Sequence, residues 1–169
     1  MERKTPDDLY ALLRTLGIPF KLHFHPPAPT IALAMEYWKN IPTAHCKNLF
    51  FRNHKGNRHY LVIIEHLHDL AVHDLEKRLK QGKLTFASPE RMRKHLGVEP
   101  GSVTPFGIIN DTQKQVHLFI DESLQKAESV SFHPLVNTAS LSLRFADFIH
   151  FLEWSGNSYE FISMQTIQP

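Results

Sequence analysis

A single cysteine, Cys46, means the chain forms no internal disulfide. That fits a reducing compartment, and a cytoplasmic protein is expected. No stretch approaches the roughly 18 continuous apolar residues of a membrane span. The opening MERKTPDD carries no apolar signal-peptide core either, so neither membrane insertion nor secretion is expected. Charge of one sign is also scarce. The formal net charge is +2, too small for a protein that coats nucleic acid, although a local basic patch would suffice for a few phosphates and leaves transient RNA contact open. Familiar catalytic signatures are missing as well: there is no GxSxG elbow, no P-loop and no dinucleotide-binding glycine pattern. Neither HExxH nor CxxC occurs. The 12 histidines include the spacings HFH (His23, His25) and HLHDLAVH (His66, His68, His73) but complete no metal signature. No metal and no cofactor are expected. An enzyme of this composition has to work by binding, polarisation and a positioned water.

What is present is 169 residues with 42% hydrophobic content, the size of one ordinary domain spanning 1–169. TPDDLYALLRTLG reads as a helix: Thr5 caps it, Pro6 takes the first position, and Leu9, Leu12, Leu13 and Leu16 share a face before Gly17 closes it. FKLHFH reads as a strand, and the prolines of PPAP lead to Thr30, which caps a second helix through IALAMEYWK. Two strands at about 45–52 and 58–65 flank the hairpin-type turn NHKGN. DLEKRLKQG and SPERMRKHLG read as short helices, the second running from a Ser88 cap and Pro89 to Gly97. FGIIN, QVHLFID, SVSFH and ASLSL read as strands, and FADFIHFLEWSG as a final amphipathic helix. The expected fold is a single α/β (α+β) domain with a mixed, largely antiparallel central sheet flanked by helices. One long piece, GVEPGSVTPFG, is too rich in Gly and Pro for regular structure, and such loops commonly carry function.

HCKNLFF places Lys47 inside an apolar strand, where an ammonium costs several kcal/mol unless it finds partners. Either Lys47 snorkels to water at the sheet edge, or it faces a pocket ready to meet a phosphate or polarise a carbonyl. Cys46 is poorly placed to be a nucleophile, because its neighbour His45 points to the opposite face of the strand. A small buried hydrophobe is the simpler reading.

Three segments in order, CKNLFFRNHKGNRHYLVIIEH, LGVEPGSVTPFGIINDT and FHPLVNTASLSL, together with the preceding HPPAPT, resemble the prolyl-tRNA editing domain family, also called YbaK/ProX-like. The resemblance runs from about Tyr10 to Phe161 and points to the free-standing alanyl-tRNA(Pro) deacylase branch. It implies a YbaK/ProX-like fold and hydrolysis of alanine mistakenly attached to proline tRNA. The cysteine-specific branch has a glycine-rich run where this chain has HPLVNTAS, and Ser140 stands where Thr is common. Deacylation of another small aminoacyl-tRNA such as Cys-tRNA(Pro), or a catalytically silent tRNA- or synthetase-binding module, are the alternatives. Aminoacylated tRNA(Pro) is the implied partner, with transient contact to a prolyl-tRNA synthetase.

Such an activity suits the chemistry. A synthetase pocket sized for proline excludes alanine poorly, since missing methylenes cost only about 1–3 kcal/mol, so a second and smaller site restores accuracy. The substrate is an activated ester with a neighbouring ribose hydroxyl, and no triad is required. The resemblance makes Lys47 important, either on the terminal phosphate or on the ester. Main-chain N–H groups of Gly101 and Ser102 are expected to meet the developing oxyanion. Thr30 matches the family's pocket-lining threonine while also capping the second helix, the motif favours a substrate-pocket role for His133 over that of a capping histidine, and Asn137 either orients the substrate or ties down its own loop. Ile31, Leu33, Met35 and Phe50 are candidates for an apolar sieve wall, with core packing as the plainer explanation for each. Arg52, Lys55 and Arg58 flank the hairpin and are candidates for tRNA contact.

Overall fold

The computed structural model describes residues 2–27 and 30–166. Helix α1 (Pro6–Thr15) starts as the sequence predicts. The Thr5 hydroxyl accepts from the Asp8 N–H while the Asp8 carboxylate accepts from the Thr5 N–H, a reciprocal capping box. Then follow β1 (Lys21–Phe24), α2 (Ile31–Trp38), β2 (Ala44–Arg52), β3 (His59–Glu65), β4 (His68–Asp69), α3 (Val72–Leu79), β5 (Thr85–Phe86) and α4 (Pro89–Leu96). The second half holds a 3₁₀ helix (Pro105–Asn110), β6 (Val116–Asp121), a second 3₁₀ helix (Glu122–Lys126), β7 (Ser129–Phe132), β8 (Ala139–Arg144), α5 (Phe145–Ser155), β9 (Tyr159–Ile162) and β10 (Gln165–Thr166).

The main sheet runs β1-β8-β7-β2-β3-β6-β9, with β5 added to β2, and β4 and β10 form a separate antiparallel pair. It is mixed: β1–β8, β8–β7, β2–β3 and β2–β5 are antiparallel, whereas β2–β7, β3–β6 and β6–β9 are parallel. Strand β3 explains the unbroken apolar run HYLVII. Leu61 and Ile63 enter the larger core, under α1, α4 and α5, and Tyr60, Val62 and Ile64 enter a smaller core beside α3, so both faces are covered.

FGIIN is not a strand. Pro105 opens a 3₁₀ turn, the Thr104 hydroxyl accepts from the Phe106 N–H, and Gly107 lies so close to Leu96 that a Cβ there would sit 2.7 Å from the Leu96 Cβ. Local capping and a close helix contact override the apolar pattern. The short strands β4, β5, β9 and β10 were not marked by the sequence, since their pairing partners are remote along the chain.

Between its two ends β2 has no strand paired to one of its sides among the described residues. It pairs with β7 only at Ala44 and His45, and with β5 only at Phe51 and Arg52. Strand β7 stops where Pro134 has no N–H to give, and Leu135 then turns with φ 70°. The His45 carbonyl accepts from His66 on the β3 side and the Phe50 carbonyl from Ala87 on the other, so by alternation Asn48 turns its main-chain groups to the bare edge.

Candidate active site

A cleft of about 260 Å³ opens at that bare edge, lined by Thr30, Ala34 and Trp38 of α2, Cys46 to Leu49 of β2, Gly101 and Val103 of the long loop, and His133 at the end of β7. Four of the predicted site residues, Thr30, Lys47, Gly101 and His133, therefore meet in one place from four separate segments. Asn137 adjoins them, since a Cβ on Gly101 would lie 3.5 Å from the Asn137 Nδ2.

Helix α2 roofs the cleft, and the spacing 30, 34, 38 puts its lining residues on one helical face. Thr30 is also the N-cap, its hydroxyl oxygen accepting from the Leu33 N–H at 3.2 Å, so its own hydroxyl proton stays available to a ligand. Leu33 and Met35 are about half exposed, at 51% and 48%, and do not line the cleft. Each sits roughly 100° around the helix from Ala34. Ala34 and Trp38 form the wall instead, and the four-residue step from Thr30 was the signal for them. The side chain of Ile31 lies outside the described residues. Phe50 is also not wall: it is buried in the larger core, its ring 5.7 Å from that of His59 and 6.4 Å from that of His95.

Aromatic stacking fixes the roof. Trp38 lies flat on His45 (4.7 Å, 8°) and Tyr37 on His25 (5.0 Å, 13°). The His25 Nδ1–H donates to the Pro26 carbonyl, leaving Nε2 to accept from the Ser140 hydroxyl at 2.9 Å. Ser140 thus links β8 to the roof through a hydroxyl that threonine also carries. His45 donates from Nε2 to the Ile41 carbonyl at 2.9 Å, and its buried Nδ1 has no partner among the described residues. Burial holds its pKa below the ordinary 6.5.

The loop forms the floor. Glu99, Pro100, Gly101 and Ser102 make a turn closed by the Ser102 N–H on the Glu99 carbonyl at 3.0 Å, with Gly101 at φ 89°. Proline second, glycine third and a positive φ are the marks of a type II turn. This corrects one expectation: the Ser102 N–H is committed to the turn, so of the two main-chain donors expected here it is not offered to an oxyanion. Asn48 holds the loop against β2, its Nδ2 donating to the Val103 carbonyl at 3.3 Å. Sequence reading passed over it, although it stands beside Lys47 in CKN.

Lys47 is largely withdrawn from solvent, with 19% side-chain exposure, and its Nζ lies 3.7 Å from the Asp69 Oδ1. His133 donates from Nδ1 to the Ala139 carbonyl, and burial pushes its pKa down. Cys46 is buried, and loss of hydration raises its thiol pKa far above the usual range, the carboxylates of Glu65 and Asp121 adding to the effect. It cannot serve as a thiolate nucleophile. Arg52 donates to the Asn53 and His54 carbonyls and so braces the hairpin. Among the described residues no three His, Cys, Asp or Glu side chains converge to hold a metal ion, and no helix is long and apolar enough to cross a membrane.

Residues 25–151 match the profile of the aminoacyl-tRNA editing domain. The chain is 31% identical over 168 residues to the prolyl-tRNA editing protein ProX of Acetoanaerobium sticklandii, covering 97% of this chain and 100% of that one. It is also 31% identical to prolyl-tRNA synthetase associated domain-containing protein 1 of Mus musculus, covering 89% of this chain and 90% of that protein. A solved structure described as a proposed trans-editing enzyme for prolyl tRNA synthetase superposes with a TM-score of 0.71 at 22% identity, over 96% of this chain and 97% of the other, which shows the shared fold.

Proposed function

The chain belongs to the aminoacyl-tRNA editing domain family and is an aminoacyl-tRNA deacylase; from that premise we propose that it works in trans on mischarged proline tRNA, hydrolysing the ester that joins alanine to the terminal ribose. The observation that carries this reading is the meeting of Thr30, Lys47, Gly101 and His133 around one small cleft at the bare edge of β2.

Each part then has a task. The terminal adenosine enters along the open edge, and the aminoacyl group lies beneath Ala34 and Trp38, where a methyl side chain fits and a pyrrolidine ring meets the indole. Water attacks the ester carbonyl, and the neighbouring ribose hydroxyl is placed to relay the water's proton to the departing ribose oxygen. As the carbonyl oxygen gains charge, the Gly101 N–H and the Lys47 ammonium stabilise it, a contribution worth roughly 3–4 kcal/mol for one well-aimed donor. The C–O bond to the ribose breaks and the ribose oxygen regains a proton. His133, neutral with its Nδ1–H held by Ala139, presents Nε2 as an acceptor for the α-ammonium of the amino acid. Cys46 adds only a small apolar surface to the wall.

A panel of proline tRNA charged with alanine, cysteine, serine or proline tests the reading. Alanine should leave fastest and proline should be retained. Equal rates for alanine and proline would overturn the size argument, and faster release of cysteine would move the chain to the other substrate.

A further inference from the structure

We propose that Asp69 is the positioning residue for Lys47, holding its ammonium aimed along the cleft before substrate arrives; this rests on the deacylase reading of the cleft. Lys47 stands on the odd-numbered side of β2, where Leu49 and Phe51 pack into the smaller core, and little of its side chain meets water. Among the described residues its ion pair is with Asp69, across 3.7 Å.

That carboxylate is itself held in place. Its Oδ1, the atom facing Lys47, also accepts from the Leu70 N–H at 3.0 Å, which sets the rotamer. One residue earlier, His68 donates from Nδ1 to the Asp121 Oδ2 at 2.6 Å. Asp121 is 1% exposed and accepts in addition from the Glu65 N–H and from the Ser123 N–H and hydroxyl. A buried anchor therefore fixes β4, β4 fixes Asp69, and Asp69 confines Lys47.

Confinement matters because a free lysine side chain samples many rotamers. Restricting it in the free enzyme reduces what is lost when the ammonium meets the oxyanion, which is preorganisation of the transition-state contact. Asp69 is two-thirds exposed on its side chain, so water screens the pair and the fold gains little from it. Catalysis and stability should separate on mutation.

The test compares wild type, Asp69→Asn and Asp69→Glu in deacylation of alanine-charged proline tRNA, with melting curves. Acylation of Lys47 by a water-soluble amine-reactive ester, read by peptide mass spectrometry, is measured in parallel. Asn keeps the bond from Leu70 but loses the charge. The expected result for Asp69→Asn is a roughly tenfold fall in kcat without a rise in KM, unchanged melting, and several-fold faster acylation of Lys47, with Asp69→Glu recovering part of kcat. Wild-type kcat in Asp69→Asn overturns the proposal, as does a fall in kcat with unchanged acylation of Lys47. A wild-type protein that releases no aminoacyl group overturns the functional reading instead, and the acylation arm then decides alone whether Asp69 holds Lys47.

Discussion

The Nδ1 proton of His133 is held by the carbonyl oxygen of Ala139 at 3.1 Å, so the ring meets the cleft with its tautomer already chosen. Burial keeps it neutral below its ordinary pKa of 6.5, and the nearby His25, once protonated, works in the same direction. His133→Ala should therefore weaken discrimination among aminoacyl groups, by about tenfold in the ratio of kcat/KM for alanine over serine, while tRNA affinity stays the same. Affinity that falls together with discrimination would place His133 on the tRNA rather than on the amino acid.

Lys47→Ala should lower deacylation by roughly 100-fold or more, the usual scale for losing a main oxyanion or phosphate contact. Its melting temperature should stay within a few degrees of wild type, because the pair it leaves behind is solvent-screened at Asp69. Lys47→Arg should also be impaired, since a planar guanidinium does not occupy the place of a compact ammonium. A folded Lys47→Ala protein with wild-type rates would make Lys47 a snorkelling side chain.

The roof makes a paired prediction about size. Ala34 lines the cleft and is nearly buried, whereas Leu33 points away and is exposed. Ala34→Leu should obstruct even alanine and cut its release about tenfold or more, in line with the 1–3 kcal/mol that a few methylenes command in a tight pocket. Leu33→Ala should leave selectivity where it was. Relaxed selectivity in Leu33→Ala would bring Leu33 back into the wall.

Stability should fall with acid, for a reason remote from the cleft. His59 and His95 are buried with ring centres 3.9 Å apart, and Arg91 donates to the His59 Nε2 at 2.9 Å. Burial, then the neighbouring His95 and the cations of Arg91 and Lys94, lower the pKa of His59 from 6.5 to about 4; burial lowers that of His95 as well. The unfolded chain takes up protons near pH 6.5 that the folded chain refuses, so this contribution is complete above about pH 6.5 and is lost as pH falls toward 4. At about 1.4 kcal/mol per pKa unit, His59 alone accounts for on the order of 3 kcal/mol. Urea midpoints measured from pH 7.5 to pH 4.5 check this, and His59→Asn should flatten the slope. An unchanged slope would assign acid sensitivity to other groups.

Legibility in the sequence followed the range of the interaction responsible. The cap at Thr5, the proline after Ser88 and the glycine after Leu96 are local signals, and α1 and α4 begin and end on them. The apolar run in β3 was equally plain. Lys47 stood out because a charge inside an apolar strand has to be explained wherever the strand lies. By contrast, the four-residue step from Thr30 to Ala34 and Trp38 gains its meaning only once α2 is laid across the bare edge of β2, and that edge exists because β7 ends at Phe132, before Pro134, and β5 joins late. Gly101 and Ser102 are adjacent in sequence, yet the turn through Pro100 separates a free N–H from a committed one. Asp69 reaches Lys47 from 22 positions along the chain, through a two-residue strand with no periodicity to announce it.

The protonated thiol of Cys46 has a consequence for survival under oxidant. Peroxides attack thiolates, and a sulfur whose proton is retained far into alkali presents almost no thiolate at neutral pH. Here the only sulfhydryl of the chain lines the cleft and keeps its proton, so peroxide should modify Cys46 far more slowly than an exposed thiol.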